Sequence, residues 1–348
     1  MNTAFVTGST GLLGNNLVRA LVARGVSVRA LARSPDKARR QFAGLAGVHV
    51  VQGDMAEVAR FAPALSGCDV LFHTAAFFRE SYTGGSHRKA LLKTNVVSWR
   101  TLLEQAFNHG IRRVVNTSSI GVLDGPPGRP IDESMVRAAT DADDYYFSKM
   151  KADEVLLAFL ASHPELWAVM VLPGWMHGPG DAGPTSAGQF TLDYLAGRLP
   201  GVMQGSVSFV DARDVAQALI AAGERGRRGE RYLAAGRHIT LKDLLAEYEK
   251  VTGLPAPTRA VPSWLLWALA LASEGFARLT RRPVLLSLAT VRLMRREAGR
   301  THFDQAKSGR ELGLQLRPIG QTLADEVAWF RANLPPAAGG RSASSMPS

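Results

Sequence analysis

Along its first half, the chain alternates short apolar runs with longer stretches whose apolar residues recur at helical spacing. Short runs rich in Val, Leu, Phe and Ala predict buried strands, and the helical spacing predicts amphipathic helices between them. Strands that alternate with helices favour a parallel sheet covered by helices on both faces. The predicted strands are Thr3–Thr7, Val26–Leu31, Val48–Gln52, Val70–Thr74, Val114–Ser118 and Ala168–Pro173, and the predicted helices are Leu12–Arg24, Ala90–His109 and Tyr145–Ser162.

The pattern changes after the sixth predicted strand. The next segment is dense in Gly and Pro, and the last third of the chain is mostly helical in its spacing, with helices expected at Leu241–Thr252, Ser263–Arg278, Val284–Arg296 and Ile319–Leu334. This change predicts a second, smaller part after the sheet domain. We expect the sheet domain at 1–173 with 206–236 returning to it, a mainly helical part at 174–205 and 237–334, and a disordered tail at 335–348.

Composition and charge narrow the class of protein. With 46% hydrophobic and 20% charged residues, the 348-residue chain is an ordinary globular sequence. The net charge is +11, but the basic residues form no long run, so we expect no nucleic-acid partner. The single cysteine, Cys68, excludes an internal disulfide and a cysteine-based metal site, and we expect no metal. The chain shows no targeting segment and no apolar run of the ~18 residues that span a membrane, which predicts a cytoplasmic protein.

A glycine-rich turn follows the first predicted strand and opens the first predicted helix. Glycines in this context allow a tight turn, a close approach of backbone amides to a pyrophosphate, and close packing of the helix on the sheet. The turn therefore predicts a dinucleotide-binding site at the helix N-terminus. The residues expected to contact the cofactor are Gly8, Thr10, Gly11, Leu12, Leu13 and Gly14.

The end of the second predicted strand bears on which dinucleotide binds. A site for NAD usually has an acidic residue there, which accepts a hydrogen bond from the ribose 2′-hydroxyl. This chain has Arg33, with Lys37 a turn further on, and a guanidinium suits a 2′-phosphate. We therefore expect NADP(H); the alternative is that Arg33 lies on a solvated edge. Asp54 and Met55 follow the third strand, where a carboxylate either accepts from the adenine amino group or caps a turn.

A tyrosine and a lysine stand four residues apart in the sequence Tyr145-Tyr146-Phe147-Ser148-Lys149. On a helix, positions i and i+4 share a face, so the ammonium lies beside the phenol. A neighbouring positive charge lowers the pKa of a phenol and makes it a usable acid–base group. Ser119 ends the fifth predicted strand, where a hydroxyl can donate to a reacting carbonyl. The alternative for Tyr145 and Lys149 is a pair on the helix surface, and the alternative for Ser119 is a purely structural role at the strand end.

Together these motifs resemble the extended short-chain dehydrogenase/reductases, a group of proteins similar to NAD-dependent epimerases and dehydratases. The resemblance runs from about Thr3 to Leu334. Further matching segments are His73-Thr74-Ala75-Ala76, Thr94-Asn95-Val96, Leu172–Gly180 and Val210–Ala216. Within the group, the sequence Ala30-Leu31-Ala32-Arg33 and the late Phe303-Asp304, Lys307 and Trp329-Phe330 are most similar to the dihydroflavonol reductase and 3β-hydroxysteroid dehydrogenase branch.

The resemblance implies an α/β Rossmann fold, a doubly wound parallel sheet with a smaller, mainly helical C-terminal substrate-binding part. It also implies a catalytic triad. Tyr145 would exchange a proton with the carbonyl or alcohol oxygen, Ser119 would polarise that oxygen, and Lys149 would lower the pKa of Tyr145 and hold the nicotinamide ribose. The implied cofactor contacts after the fourth and sixth strands are Ala75, Ala76, Pro173, Gly174 and Met176.

Two features of the helix after the fourth strand qualify this resemblance. Asn95 matches a family asparagine, and we expect it to be mainly structural here. Ser98-Trp99 departs from the small residues usual in the family, which puts the packing at that point in doubt.

The predicted function is a reductase that transfers hydride from NADPH to a ketone or aldehyde on a bulky, largely apolar small molecule. Aromatic residues after the fourth and sixth strands either line an apolar pocket or pack an interdomain core; they are Phe77, Phe78, Tyr82, Trp175 and Phe190. One alternative is a nucleotide-sugar epimerase or dehydratase, which usually prefers NAD, so Arg33 argues against it. A second is a non-catalytic cofactor-sensing protein, against which the presence of both Tyr145 and Lys149 argues.

The helix predicted at 263–278 raises the question of partners. Its apolar body is followed by arginines, so it could lie on a membrane surface, although a buried lid helix or a subunit contact is the favoured interpretation. The oligomeric state is left open between monomer and homodimer. The resemblance points to the helices at 90–109 and 145–162 as the pair that often forms dimers in the superfamily.

Overall fold

The computed structural model describes residues 1–78, 87–280 and 288–333. The strands within these residues are β1 Thr3–Thr7, β2 Ser27–Ala32, β3 Val48–Gln52, β4 Val70–His73, β5 Arg113–Thr117, β6 Trp167–Pro173, β7 Trp175–His177, β8 Ser206–Asp211, β9 Arg231–Ala234 and β10 Arg237–Thr240. The helices are α1 Leu12–Val22, α2 Pro35–Gln41, α3 Val58–Phe61, α4 Arg88–Leu92, α5 Ser98–Asn108, α6 Asp144–Ser162, α7 Ser186–Leu195, α8 Ala212–Arg225, α9 Leu241–Thr252, α10 Ser263–Thr280, α11 Leu288–Arg296, α12 Ala306–Leu312 and α13 Ile319–Asn333.

Seven strands form one parallel sheet in the order β3-β2-β1-β4-β5-β6-β9. The chain runs outward from β1 to β3 and then crosses back to β4, so the strand order reverses between β1 and β4. In doubly wound sheets, ligands bind at this reversal, beyond the carboxyl ends of the strands. The predicted fold class is confirmed, and the six predicted strands match the observed bounds to within one residue at each end.

The core lies on both faces of this sheet because successive side chains of a strand point to opposite sides. Phe5 of β1 packs on one face with residues of α5 and α6. Its neighbours Ala4 and Val6 pack on the other face with residues of α1 and α8. All three side chains are fully buried, which explains why the middle of β1 is continuously apolar rather than alternating.

The helix predicted at Ala90–His109 is interrupted. The chain forms α4, then a π-helical turn at Lys93–Val97, and then α5. A π turn inserts one residue into a helix, and such turns are frequent at functional sites. Here the turn carries Asn95, whose side-chain oxygen accepts from the Phe77 backbone N–H at 2.7 Å and whose amide donates to Ser148 Oγ at 3.0 Å. Asn95 therefore joins the segment after β4 to α6, in agreement with a structural role.

A small sheet in the order β10-β8-β7 lies beyond the large one, and helices α7, α9 and α13 share a third apolar cluster with it. Strand β9 returns to the large sheet beside β6, whereas Ser206–Asp211, at the start of the predicted returning segment, pairs within the small sheet. The predicted domain boundaries stay a prediction. Tyr82, the start of the helix predicted at 284–296 and the tail predicted at 335–348 lie outside the described residues. In the described parts of the chain, every helix is too short or too polar to cross a bilayer.

Candidate active site

The glycine turn closes the space between the ends of β1 and β4. Gly8 has φ +67°, and a Cβ at this position would lie 2.7 Å from the backbone nitrogen of Ala75. A Cβ on Gly14 would lie 2.1 Å from the Gly8 carbonyl oxygen, so α1 packs against the turn more closely than any side chain allows. At Gly11 the only atom near such a Cβ is the Gly8 oxygen, at 3.4 Å. Gly11 is exposed, and packing within the chain does not explain the absence of its side chain.

The N-terminus of α1 has no side-chain cap at the glycine turn. Its N-cap is Gly11, and its first turn contains no acidic residue. The first backbone N–H groups of a helix lack helical partners and carry a partial positive charge, which favours a bound anion. Ser9 fixes the turn to the neighbouring strand, because its Oγ donates to the Leu31 carbonyl oxygen at 2.8 Å. These features fit the pyrophosphate of a dinucleotide.

The residues predicted to select the cofactor lie at the ends of β2 and β3. Arg33 directly follows β2 and is exposed, without a hydrogen bond or ion pair to any described residue. Lys37 is half-buried, with its ammonium 3.5 Å from where a Cβ on Gly183 would stand. Asp54 caps a short 3-10 turn by accepting from the Ala56 N–H at 2.9 Å. Met55 is buried in the core, 7% exposed.

Helix α6 brings Tyr145 and Lys149 to the end of β5. The helix begins at Asp144, and Asp143 caps it by accepting from the Tyr146 N–H at 2.7 Å. Tyr145 and Lys149 are each 6% exposed, so neither belongs to a surface pair. The Lys149 ammonium donates to the Thr117 carbonyl oxygen at 2.8 Å, where Thr117 is the last residue of β5.

A buried carboxyl group that the sequence analysis missed lies behind Lys149. Asp153 is 2% exposed, accepts from Ser118 Oγ at 2.8 Å and lies 3.7 Å from the Arg231 guanidinium. Burial raises the pKa of Asp153 to about 6, against the effect of Arg231 and Lys149. Burial lowers the pKa of Lys149 to about 8, and Asp153 opposes that change. The signal in the sequence was the spacing, because Tyr145, Lys149 and Asp153 follow one another at i, i+4 and i+8.

Ser119 directly follows Thr117 and Ser118, the two residues that contact Lys149 and Asp153 of α6. Its Oγ accepts from the Gly121 N–H at 3.1 Å in a 3-10 turn that directly follows the end of β5. A Cβ on Gly121 would lie 2.0 Å from the Tyr146 ring, so this turn packs directly on the start of α6. Arg137 is 3% exposed, donates to the Gly121 carbonyl oxygen at 2.9 Å and lies over the Tyr146 ring. The sequence analysis did not identify Arg137, which joins Ser119 to the helix of Tyr145.

The Ser98-Trp99 departure has a packing explanation. Trp99 is fully buried, stacks on the His73 ring at 4.2 Å and donates to the Ala152 carbonyl oxygen at 3.3 Å. His73 in turn has its Nδ1 2.8 Å from Thr7 Oγ1. Burial lowers the pKa of His73 to about 3, with a further contribution from Lys149, so this ring is neutral. The large indole therefore packs between the end of β4 and α6.

The aromatic residues predicted to contact substrate fall into two groups. Phe78 meets the Tyr145 ring edge to face at 4.6 Å, and Phe77 is held by Asn95. Trp175 and Phe190 contact each other at 5.6 Å and pack on the third apolar cluster, so they contribute to the core of the smaller part. Substrate contact by any of these residues stays a prediction.

The segment after β6 holds the remaining predicted cofactor residues. Gly174 has no room for a side chain, because its Cβ would lie 2.1 Å from the Ala235 carbonyl oxygen. Pro173 pairs with Ala234 in the sheet, and Met176 pairs with Val210 in the small sheet. Ala75 and Ala76 follow β4, which flanks β5 on the side opposite to β6. The Ala75 N–H donates to Thr7 Oγ1 at 3.3 Å. The structure thus brings the ends of β1, β4, β5 and β6 to one edge.

Among the described residues, no three His, Cys, Asp or Glu side chains cluster closely enough to hold a metal ion.

The family model and the named relatives that match this chain identify an α/β enzyme of the oxidoreductase type, from a family that uses nicotinamide cofactors. The chain belongs to the NAD dependent epimerase/dehydratase family, whose sequence model matches residues 4–235. The resemblance drawn from the motifs is therefore confirmed.

Relatives of known name extend this likeness over nearly the whole chain. The chain is 36% identical to sterol demethylase protein B of Methylococcus capsulatus over 94% of this chain and 98% of that protein. It is 33% identical to a dihydroflavonol 4-reductase-like protein of Synechocystis, over 94% of each. It is 32% identical to 4-hydroxy-2-methyl-3-oxo-4-farnesyl-3,4-dihydroquinoline-1-oxide ketoreductase of Stigmatella aurantiaca, over 93% of this chain and 95% of that protein. The crystal structure of gox2253 superposes with a TM-score of 0.80 at 31% identity, covering 95% of this chain and 98% of that one.

Proposed function

We propose that this protein is an NADPH-dependent reductase of a ketone or aldehyde on a bulky, largely apolar molecule. The observation that carries the proposal is the burial of Tyr145 and Lys149 on one face of α6, with the Lys149 ammonium 2.8 Å from the last carbonyl of β5. A buried ammonium at this place has a large desolvation cost, which a merely structural role does not require.

In the proposed reaction, the side chains of this edge hold the carbonyl and move one proton. A nicotinamide cofactor held at the glycine turn would supply the hydride to the carbonyl carbon. Tyr145 donates its phenolic proton to the carbonyl oxygen, and the positive charge of Lys149 stabilises the phenolate that results. Ser119 donates a hydrogen bond to the same oxygen and holds it beside Tyr145. Asp153 is a positioning residue that keeps Lys149 protonated and, through Ser118, holds the strand end that carries Ser119.

The proposed cofactor is NADP(H), and it would be held by the domain formed by 1–173 and 206–236. The support is chemical: Arg33 is exposed, has no described partner and follows the strand that Ser9 ties to the glycine turn. The acid nearest to it in sequence, Asp36, is paired with Arg39 at 2.6 Å, so its charge is compensated. A 2′-phosphate would give Arg33 the partner that it lacks.

Arg33→Ser is expected to raise the Kd for NADPH about 10- to 100-fold and to change the Kd for NADH by less than about threefold, since one charge-assisted contact is lost. Titration of intrinsic protein fluorescence with each dinucleotide measures both values. Arg40→Ser is the matched control, because Arg40 is an exposed arginine of α2 whose side chain makes no hydrogen bond or ion pair to a described residue, and its loss leaves the Asp36–Arg39 pair intact. Equal loss of affinity for both dinucleotides in Arg33→Ser would contradict a 2′-phosphate contact.

The glycine turn provides a paired test of the cofactor site. Gly11→Ala is expected to weaken dinucleotide binding at least about tenfold while changing the free energy of unfolding by less than about 1 kcal/mol, because within the chain its methyl group meets only the Gly8 carbonyl oxygen, at 3.4 Å. Gly14→Ala is expected to cost about 3 kcal/mol of stability, because its methyl group would overlap the Gly8 carbonyl. Urea unfolding and dinucleotide titration of both variants separate the two effects. Wild-type affinity in Gly11→Ala would place the pyrophosphate elsewhere.

The proposed substrate class rests on the apolar surface beside Tyr145. Phe78 meets the Tyr145 ring edge to face at 4.6 Å and forms an apolar wall beside it. An apolar wall suits a bulky ketone better than a nucleotide sugar. Relatives named for a sterol and for a farnesylated quinoline point in the same direction.

The experiment that tests the proposed function follows the absorbance of reduced nicotinamide, with NADPH and with NADH, against bulky apolar ketones, aldehydes and nucleotide sugars. Consumption of NADPH with an apolar carbonyl supports the reductase. Silence with every carbonyl, together with a cofactor that copurifies and cannot be washed out, would favour the epimerase or dehydratase that the family name describes.

A further inference from the structure

Helix α10 presents an apolar face to solvent. At every position of this helix whose side chain is described and exposed, the residue is apolar or glycine; these positions are Trp264, Ala268, Leu271, Ala272, Gly275, Phe276 and Leu279. They recur at the spacing of one helix face. The exposed fractions of the four large side chains are 70% for Trp264, 64% for Leu271, 52% for Phe276 and 88% for Leu279. These side chains face away from the protein, and the interpretation of this helix as a lid or a subunit contact stays a prediction.

The polar residues of α10 lie away from this stripe. Ser273 and Glu274 are partly buried, and Ala270 is fully buried on the side toward the protein. A surface helix ordinarily has the reverse arrangement, with polar residues facing water. The stripe from Trp264 to Leu279 is about 22 Å long at the helical rise per residue. Of the eight large apolar side chains that are exposed among the described residues, four lie on this one helix, and this concentration marks an interaction site.

The charge around the stripe indicates which partner fits. Between Arg259 and Arg296 the chain carries seven arginines and a single acidic residue, Glu274. On α11, which packs against α10, Arg292 and Arg295 are exposed, and the Arg292 guanidinium lies 6.0 Å from the centre of the Trp267 ring. An apolar stripe flanked by arginines matches a bilayer surface with anionic headgroups. Two copies of this chain facing each other through α10 would bring like charges together.

We propose that α10 and α11 dock this protein on an anionic lipid surface, with the α10 stripe inserted among the acyl chains and the flanking arginines at the phosphates. The docked helices would lie close to the candidate active site. Glu297, the residue after α11, pairs at 3.0 Å with the buried Arg137, which donates to the Gly121 carbonyl oxygen beside Ser119. An apolar substrate dissolved in the bilayer would then reach the enzyme without crossing water. The docking itself does not depend on the proposed reductase activity.

Cosedimentation of the full chain with lipid vesicles tests the docking. We expect the chain to bind vesicles made of equal parts phosphatidylcholine and phosphatidylglycerol, and to bind vesicles of pure phosphatidylcholine at least about tenfold more weakly. Added salt should weaken binding to the vesicles that contain phosphatidylglycerol. Leu271→Ser combined with Phe276→Ser should reduce binding at least about tenfold, because both side chains leave the apolar phase. Leu254→Ser is the matched control, since Leu254 is an exposed leucine outside α10, and it should bind like the wild type.

Three results would overturn the proposal. The first is the absence of wild-type sedimentation with either kind of vesicle. The second is undiminished binding by the double variant, with its fold verified by circular dichroism. The third is a wild-type dimer in light scattering that becomes a monomer in the double variant without any vesicle binding, which would assign the stripe to a second copy of the chain.

Discussion

Tyr145→Phe is expected to lower kcat for carbonyl reduction by about 100- to 10,000-fold, the usual contribution of a positioned acid–base group. Phenylalanine keeps the ring, and with it the edge-to-face contact with Phe78 at 4.6 Å, so the fold and the dinucleotide affinity should be retained. The substitution removes only the phenolic hydroxyl, which is the proposed proton donor. Steady-state kinetics and dinucleotide titration on the same preparation give both numbers.

Tyr194→Phe is the matched control for this experiment. Its hydroxyl donates to the Leu254 carbonyl oxygen at 2.6 Å in the smaller part of the molecule, away from the sheet edge. Its loss should cost about 1 kcal/mol of stability and leave kcat unchanged. If Tyr145→Phe kept wild-type turnover, another group would be the proton donor and the proposed chemistry would fail.

Lys149→Met is expected to abolish measurable turnover and at the same time to stabilise the protein at neutral pH. The pKa of Lys149 is about 8 in the folded chain, below the 10.5 of the free side chain. Below pH 8 the folded protein must therefore hold a buried ammonium, and this cost disappears as the pH rises from 8 to 10.5. Removing the ammonium should gain about 1–3 kcal/mol at pH 7, after allowance for the lost hydrogen bond to Thr117.

Urea unfolding at several pH values checks the sign of this effect. The advantage of Lys149→Met should be full at pH 7 and should fade as the pH rises from 8 toward 10.5. Lys151→Met is the control, because Lys151 lies on the same helix, is partly exposed and pairs with Glu154 at the surface. It should change stability by less than about 1 kcal/mol and leave turnover intact. A less stable Lys149→Met at pH 7 would mean that the ammonium contributes to folding.

Residues identified from their spacing could be placed from the sequence because the signal is local. The glycine turn was expected between the first strand and the first helix, and Tyr145 and Lys149 on one helix face; the structure has both arrangements. The residues that were missed have no local signal of their own. Arg137 reaches Tyr146 and Gly121 from a loop, and Arg231 reaches Asp153 from a strand 78 positions away in the chain.

Two further features show the same limit. The spacing of the apolar residues of α10 does not determine which face is buried, because this helix is apolar on most of its circumference. The side chain of Trp99 had no visible role until the His73 ring was found stacked on it. In each case the deciding quantity is burial, which depends on elements distant in the chain.

The sequence by itself determined the order of strands and helices, the class of sheet and the position of the dinucleotide turn, because these follow from the periodicity of side chains along a strand or a helix. Only the tertiary structure decided which carboxylate lies behind Lys149, where the helix after β4 is interrupted and which face of α10 remains in water. Those outcomes depend on which surfaces meet when the elements pack, and desolvation of a charge or a ring is a property of the assembled neighbourhood rather than of the local sequence.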